Sequence, residues 1–236
     1  ICEHAVVGTE AVIDGMLILP SHVIVESGVR IGVGVRFVAP ESPEAATRVH
    51  AGAQIGAGAI IHAGVTIGTQ AVVAPGSIVQ RAIPSMAIVE GAPTRIVGYV
   101  GVQPAIASAW PEAGKTIEFS SVRGVALHRL PRVEDIRGNL TVGEFNRSIP
   151  FNVKRYFMVF DVPSIETRGE HAHRECHQFL VCAHGSCTVV ADDGFNRQEF
   201  QLNSPDIGLH LPPLVWGIQY NYSADAVLLV LASHYY

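Results

Sequence analysis

Two imidazoles stand two residues apart in the stretch Arg168-Gly169-Glu170-His171-Ala172-His173. The segment reads as a β-strand. Alternate strand residues share a face, so His171 and His173 present their rings to the same side. Paired imidazoles on one face suit two chemistries. They can ligate a metal ion, or they can act as acid and base near neutral pH. Two buried histidines with satisfied hydrogen bonds would give the same pattern, so spacing alone does not choose.

The elements that must position the pair are short and β-rich. Residues 156–162 and 178–182 are apolar β-formers. Residues 188–191 and 200–202 flank Asp192-Asp193-Gly194, a hairpin signal. Residues 226–231 form a continuous apolar run fit for a buried strand. From about Ser121 the pattern predicts a jelly roll. A metal-binding cupin of that shape carries His-x-His, then Glu, then Gly, with a last His after a Pro-rich turn. Here Gln178 stands at the Glu position and Gly185 closes the motif. The turn is Leu211-Pro212-Pro213-Leu214-Val215-Trp216-Gly217, with Gly217 where the last His belongs. A firmly held divalent ion needs three or four ligands, and two of the expected set are gone. No metal is expected, which leaves the imidazoles for proton transfer. His177 or His210 are the available substitutes.

The first third of the chain follows a different rule. An aliphatic or Phe residue falls every sixth position, at Ile1, Val7, Ile13, Leu19, Val25, Ile31 and Phe37. The pattern resumes in phase at Val49, Ile55, Ile61, Ile67, Val73 and Val79. Four residues after each of these except Phe37 comes a small or aliphatic side chain, as at Val29, Ala53 and Ala71. A helix needs a period of 3.6 and a simple strand a period of 2. Six suits a coil of short flat faces with the large residue inside. Gly8, Gly32, Gly56 and Gly68 then fall at corners, where a positive φ is expected. Residues 38–48 interrupt the hexads with a loop.

Bulk properties narrow the remaining classes. The chain has 236 residues, enough for two small domains, and is 48% hydrophobic. A net charge of −5 gives no reason to expect nucleic acid or an anionic membrane as a partner. Cys2, Cys176, Cys182 and Cys187 contain no CxxC pair and read as reduced thiols. No apolar run is long enough for a membrane helix, and the chain is expected in the cytoplasm. It opens without Met and inside a repeat, so a preceding segment is expected. Residues 100–120 lose the period and read as a linker with a short helix at 105–109.

The hexads and the phrase Ile83-Pro84-Ser85-Met86-Ala87-Ile88-Val89-Glu90-Gly91-Ala92-Pro93-Thr94-Arg95 resemble the hexapeptide-repeat acyltransferases. Over residues 1–99 the resemblance implies a left-handed parallel β-helix, a trimer, and acetyl-CoA as co-substrate. His50 and His62 are candidates for proton handling in acetyl transfer, and Arg81 and Arg95 for CoA phosphates. Relatives often carry Asn after a Phe-Thr that flanks the loop. This chain reads Phe37-Val38-Ala39 there.

Residues 121–236 resemble the sugar 3,4-ketoisomerases acting on dTDP-4-keto-6-deoxyglucose. The matching phrases include Asp135-Ile136-Arg137-Gly138-Asn139-Leu140, Ile149-Pro150-Phe151-Asn152-Val153-Lys154-Arg155, Arg168 to His173, and His177-Gln178-Phe179-Leu180-Val181-Cys182. The resemblance implies His171 as the base and His173 as donor to the enediol oxygen. It places Arg137 where relatives giving the gluco epimer carry Tyr, so the galacto product is expected. Arg155 and Arg168 are candidates for the pyrophosphate, and Gln178, Trp216 and Tyr156 for the sugar or base. Tyr156 neighbours Phe157, where relatives carry Tyr, and should face the other way.

The whole chain therefore resembles a bifunctional enzyme of bacterial surface-sugar synthesis, as in O-antigen or S-layer glycans. An aminotransferase would act between its two steps, and the product would be dTDP-3-acetamido-3,6-dideoxygalactose. Trimeric helices with paired jelly rolls would close into a hexamer. The rivals are a monofunctional isomerase with a structural β-helix, and a metal-dependent cupin.

Overall fold

The computed structural model describes residues 2–102, 116–163 and 166–236. The chain divides into two compact units, Ile1–Gly101 and Val102–Tyr236. The helix expected at 105–109 lies outside the described residues.

The first unit is a parallel β-helix. Strands of two or three residues stack on the strand three hexads further along the chain. Gln54–Ile55 pairs in parallel with Val72–Val73, and Ile60–Ile61 with Ile78–Val79. Across the interrupting loop, Arg36–Phe37 still pairs with Ile60–Ile61. Three sheets result. The large hexad residues line the axis: Val49, Ile61, Ile67 and Val79 are fully buried, as are Val29, Ala53 and Ala71 four positions later in the repeat. Each buried aliphatic contributes roughly 1.5–3 kcal/mol of transfer free energy. The interruption is shorter than expected. Thr47–Val49 is already a strand, so the inserted loop covers only 38–46.

The glycines after the large residues have a different cause from the one expected. Their φ is ordinary. A Cβ at Gly56 would lie 2.5 Å from the Pro75 backbone nitrogen, and one at Gly32 would lie 2.6 Å from that of Ala57. Close stacking of coils, rather than positive φ, excludes a side chain there. The left-handed corner comes two residues later, at positions such as Gly58. The repeat closes with Ala87–Glu90, which pairs antiparallel with Arg95–Tyr99.

The second unit is a jelly roll of two sheets. One holds six strands in the order Ile117–Phe119, Ala126–Arg129, Ile207–Leu211, Gln178–His184, Val227–Ala232, Arg155–Phe160. Its first strand lies in the stretch read from sequence as linker. The other sheet runs Arg168–Ala172, Trp216–Tyr220, Cys187–Asp192, Arg197–Leu202. Leu180, Cys182, Val189, Leu202, Leu209 and Leu228 are fully buried between them. A separate hairpin, Arg132–Asp135 with Gly138–Thr141, pairs only with itself. All four cysteines are free thiols.

Candidate active site

His171 and His173 meet as the sequence expects, but by an irregular route. The strand ends at Ala172, one residue before His173. Its register against Trp216–Tyr220 slips between Gly169 and His171, leaving Glu170 as the extra residue of a bulge. Gly169 has φ +81° and Glu170 φ +57°. A Cβ on Gly169 would lie 2.7 Å from the Gly217 carbonyl oxygen, so only glycine fits.

The bulge places the Gly169 carbonyl oxygen 2.8 Å from His171 Nδ1. A carbonyl only accepts, so Nδ1 carries a proton and Nε2 is the basic atom of the neutral ring. That Nε2 lies 3.1 Å from His173 Nε2, with the rings at 88°. His173 Nε2 is also 3.1 Å from the amide of Gln178, whose residue is 9% exposed. Burial holds the His173 pKa below the ordinary imidazole value. The charges of His171, Arg155 and His234 lower it further. That shift favours the uncharged form of the His173 ring.

The pair opens into a cavity of about 770 Å³ lined by Arg155, Phe157, Arg168, Gln178, Gln219 and Tyr236 among others. That is the size of a site for a small organic molecule. The Arg155 guanidinium packs over the rings of Phe157 at 5.7 Å and Tyr236 at 5.0 Å. Among the described residues its buried Nε has no hydrogen-bond partner. A buried donor left unpaired is costly and marks a place where a ligand oxygen would be welcome. Tyr156, 67% exposed, borders the same cavity rather than facing away from it.

Several candidates sit elsewhere. Gly217, which stands where a metal-binding cupin would carry its last His, is the direct ladder partner of His171. Trp216 pairs with Ala172, which alternates with the histidines. Its ring therefore belongs to the other face of the sheet, is 44% exposed, and does not line the cavity. Arg137 is likewise absent from the cavity of its own chain. It sits in the turn of the separate hairpin, its side chain 86% exposed and paired with Asp135 at 2.6 Å. His177 does not share the face of His173. It stacks on His210, with Nδ1 3.0 Å from His210 Nε2, beside Phe151. Among the described residues no group of three or more His, Cys, Asp or Glu side chains is placed to hold a metal.

The β-helix holds a second constellation. His50 Nδ1 lies 2.8 Å from Glu26 Oε1, while Glu26 Oε2 accepts from the Ala51 amide at 3.0 Å. The two residues occupy the same hexad position on stacked coils: the Glu26 amide donates to Val49, and the His50 amide donates to Ile67. The His50 hydrogen bond holds the Glu26 carboxyl below its usual pKa. A carboxylate on Nδ1 fixes the ring and leaves Nε2 outward as a base. Among the described residues no carboxylate pairs with His62 in this way. Arg95 is ion-paired with Glu90 at 3.0 Å, which weakens its case for a CoA phosphate. Arg81 is exposed just after Ile78–Val79. Sequence reading missed Glu26, although the hexad phase, carried across the loop, would have found it.

Two family models match separate stretches of the chain. Residues 123–236 match the family model described as FdtA: WxcM-like, C-terminal. Residues 46–81 match the bacterial transferase hexapeptide (six repeats) model. The TDP-4-oxo-6-deoxy-alpha-D-glucose-3,4-oxoisomerase of Aneurinibacillus thermoaerophilus is 47% identical over 105 residues, covering 44% of this chain and 76% of that protein. Among solved structures, the 3,4-ketoisomerase QdtA of Thermoanaerobacterium thermosaccharolyticum in complex with TDP is 38% identical. That match covers 48% of this chain and 83% of QdtA, with a TM-score of 0.47. A serine acetyltransferase from Brucella abortus strain S19 is 30% identical, covering 42% of this chain and 41% of that one, with a TM-score of 0.39.

Proposed function

The chain belongs to the FdtA, WxcM-like family of sugar 3,4-ketoisomerases and carries a hexapeptide-transferase domain ahead of it, and from that premise we propose a bifunctional sugar-nucleotide enzyme. Its jelly roll converts dTDP-4-keto-6-deoxyglucose to the 3-keto sugar. Its β-helix N-acetylates the 3-amino sugar made from that product, with acetyl-CoA as donor. The observation that carries the first reaction is the His171–His173 pair, 3.1 Å between Nε2 atoms, at the wall of a cavity that also holds Arg155 and Arg168.

The ketone shift needs one base and one oxygen-handling group. The arriving C4 carbonyl oxygen takes the hydrogen bond of His173 Nε2–H, which frees the His171 Nε2 lone pair. His171 then removes the proton from C3, leaving an enediolate with its charge on O4. His173 gives its proton to O4 and recovers one from the C3 hydroxyl. His171 returns its proton to C4. The ring ends with a C3 ketone, a C4 hydroxyl and both histidines as they began. Arg155 and Arg168 would grip the pyrophosphate, since guanidinium groups pair phosphate oxygens.

Arg137 enters this scheme only across a pairing of jelly rolls, since in its own chain it is held by Asp135 in a turn outside the cavity. The galacto epimer of the product is proposed on that residue. A trimer through the β-helix, closed to a hexamer by paired jelly rolls, is the assembly that would supply it. A cytoplasmic place in surface-glycan synthesis accords with these substrates.

For acetyl transfer the Glu26–His50 pair is the favoured base, ahead of His62. A monofunctional isomerase is favoured only by the Phe37-Val38-Ala39 departure. Thiol release from acetyl-CoA with a 3-amino-3,6-dideoxyhexose nucleotide tests the transferase. Proton NMR of the 4-keto nucleotide in deuterated water tests the isomerase.

A further inference from the structure

Among the described residues three glutamines are buried, Gln178, Gln198 and Gln219, at 9%, 4% and 9% exposure. The first two have partners. Gln198 accepts from the Ser121 amide and hydroxyl at 3.1 Å each, and the Gln178 amide lies 3.1 Å from His173 Nε2. Among the described residues the Gln219 side chain has no hydrogen-bond partner. A buried amide left unpaired is costly, so its setting matters. Four residues line both the narrow recess beneath the histidine pair and the open cavity before it: His171, His173, Gln178 and Gln219. The other three are bonded to one another, which leaves Gln219 as the member with its hydrogen-bonding capacity unspent. Two missing side chains make room for it. Gln219 lies two residues beyond Gly217 on the strand Trp216–Tyr220, so both share the side of their ladder partners Arg168 and His171. A Cβ at Gly169 would lie 2.9 and 3.0 Å from the two polar atoms of the Gln219 amide, and a Cβ at Gly217 would come within 3.9 Å of that amide. Gly217 is not among the positive-φ glycines, so its backbone does not require the absence of a side chain.

We propose that Gln219 is a further catalytic residue of this site, whose amide N–H donates to the C3 oxygen of the sugar. The proposal rests on the ketoisomerase reading and names a group which that reading leaves out. His171 moves the carbon-bound proton and His173 serves O4, so O3 is the reacting oxygen without a fixed donor. O3 begins as a hydroxyl. It carries negative charge in the second half of the reaction, once His173 has given its proton to O4 and taken the one on O3. It ends as the ketone when C4 is protonated. In each form it offers a lone pair to the amide, and the bond is strongest on the charged form. No proton passes through Gln219. Its effect is therefore confined to the step in which charge rests on O3, while removal of the C3 proton by His171 does not depend on it.

The test is the Gln219→Met variant of the full chain, which keeps the volume and removes the amide. It is followed by proton NMR with dTDP-4-keto-6-deoxyglucose in deuterated water. Two quantities are read together: deuterium entering C3 of the remaining substrate, which reports the first half of the reaction, and 3-keto product, which reports the whole. Conversion should fall about tenfold or more while C3 exchange persists, so the ratio of exchange to conversion rises about tenfold. A side chain that only supports the fold would slow both alike and leave the ratio where it was. An unchanged ratio in a variant measured beside an active wild type overturns the proposal alone. A wild type that neither exchanges nor converts contradicts the isomerase reading and removes this proposal with it. Should Gln219→Met fail to fold, Gln219→Glu keeps the shape and replaces the donor with a carboxylate. The same rise in the ratio is expected there, and a ratio equal to the wild type overturns the proposal.

Discussion

The Gly169 carbonyl oxygen accepts a hydrogen bond from His171 Nδ1–H at 2.8 Å, across a bulge that only glycine can form. One backbone irregularity therefore sets the tautomer of the ring and aims its basic nitrogen at His173.

Gly169→Ala should accordingly damage more than stability. The methyl would collide with the Gly217 carbonyl, and φ of +81° disfavours any L side chain. A loss of about 1–3 kcal/mol is expected in denaturant unfolding. Isomerase kcat should fall by more than about tenfold at temperatures where the variant is still folded. A folded variant with wild-type kcat would show that the bulge does not aim the base.

Glu26→Gln should separate the two reactions. It keeps the shape of the side chain but removes the charge that holds His50. Thiol release from acetyl-CoA should drop about tenfold or more, while ketoisomerisation is unchanged. Equal transferase rates for variant and wild type would move the base to His62 or to no residue of this coil.

Acid should weaken the second unit through a cluster outside the cavity. Burial pushes the His210 pKa down to about 4, with His177 and His128 adding to the effect, and both of those are lowered as well. A histidine depressed in the folded state binds fewer protons than it does unfolded. Its contribution is intact above the unfolded value near 6.5 and is lost as pH falls toward about 4. On the order of 2 kcal/mol is at stake from His210 once its partial exposure is allowed for. Thermal melting of the jelly-roll transition at pH 7.5 and 4.5 should reveal a clear drop in Tm. His210→Phe should flatten the dependence, and an equally steep fall in that variant would assign it to other groups.

Much of this is legible in the amino-acid sequence. The sixfold period specified the coil because burial of Val49, Ile61, Ile67 and their equivalents leaves no other geometry for that spacing. The His171–His173 spacing specified a shared face because strand side chains alternate. The sequence misled where position depends on close approach or on separation in space. Gly56 looked like a corner residue and is instead pressed against Pro75. Trp216 looked like a pocket wall, but its ladder partner Ala172 puts it on the opposite face. Arg137 lay in the right phrase, yet its hairpin leaves the body of its own jelly roll. Glu26 and His50 are far apart in the chain and touch only because the loop between them preserves the hexad phase. Nothing in the letters Gly169-Glu170 announced the bulge.

The measurement closest to the central claim is proton NMR of dTDP-4-keto-6-deoxyglucose with the protein in deuterated water. A base that moves one proton from C3 to C4 in contact with solvent predicts deuterium at C3 of recovered substrate and at C4 of a new 3-keto nucleotide. His171→Asn should abolish both, by about a hundredfold or more, in a protein whose circular dichroism matches the wild type. Full activity in that variant, or a wild-type sample that leaves the substrate protonated and unconverted, would contradict the account.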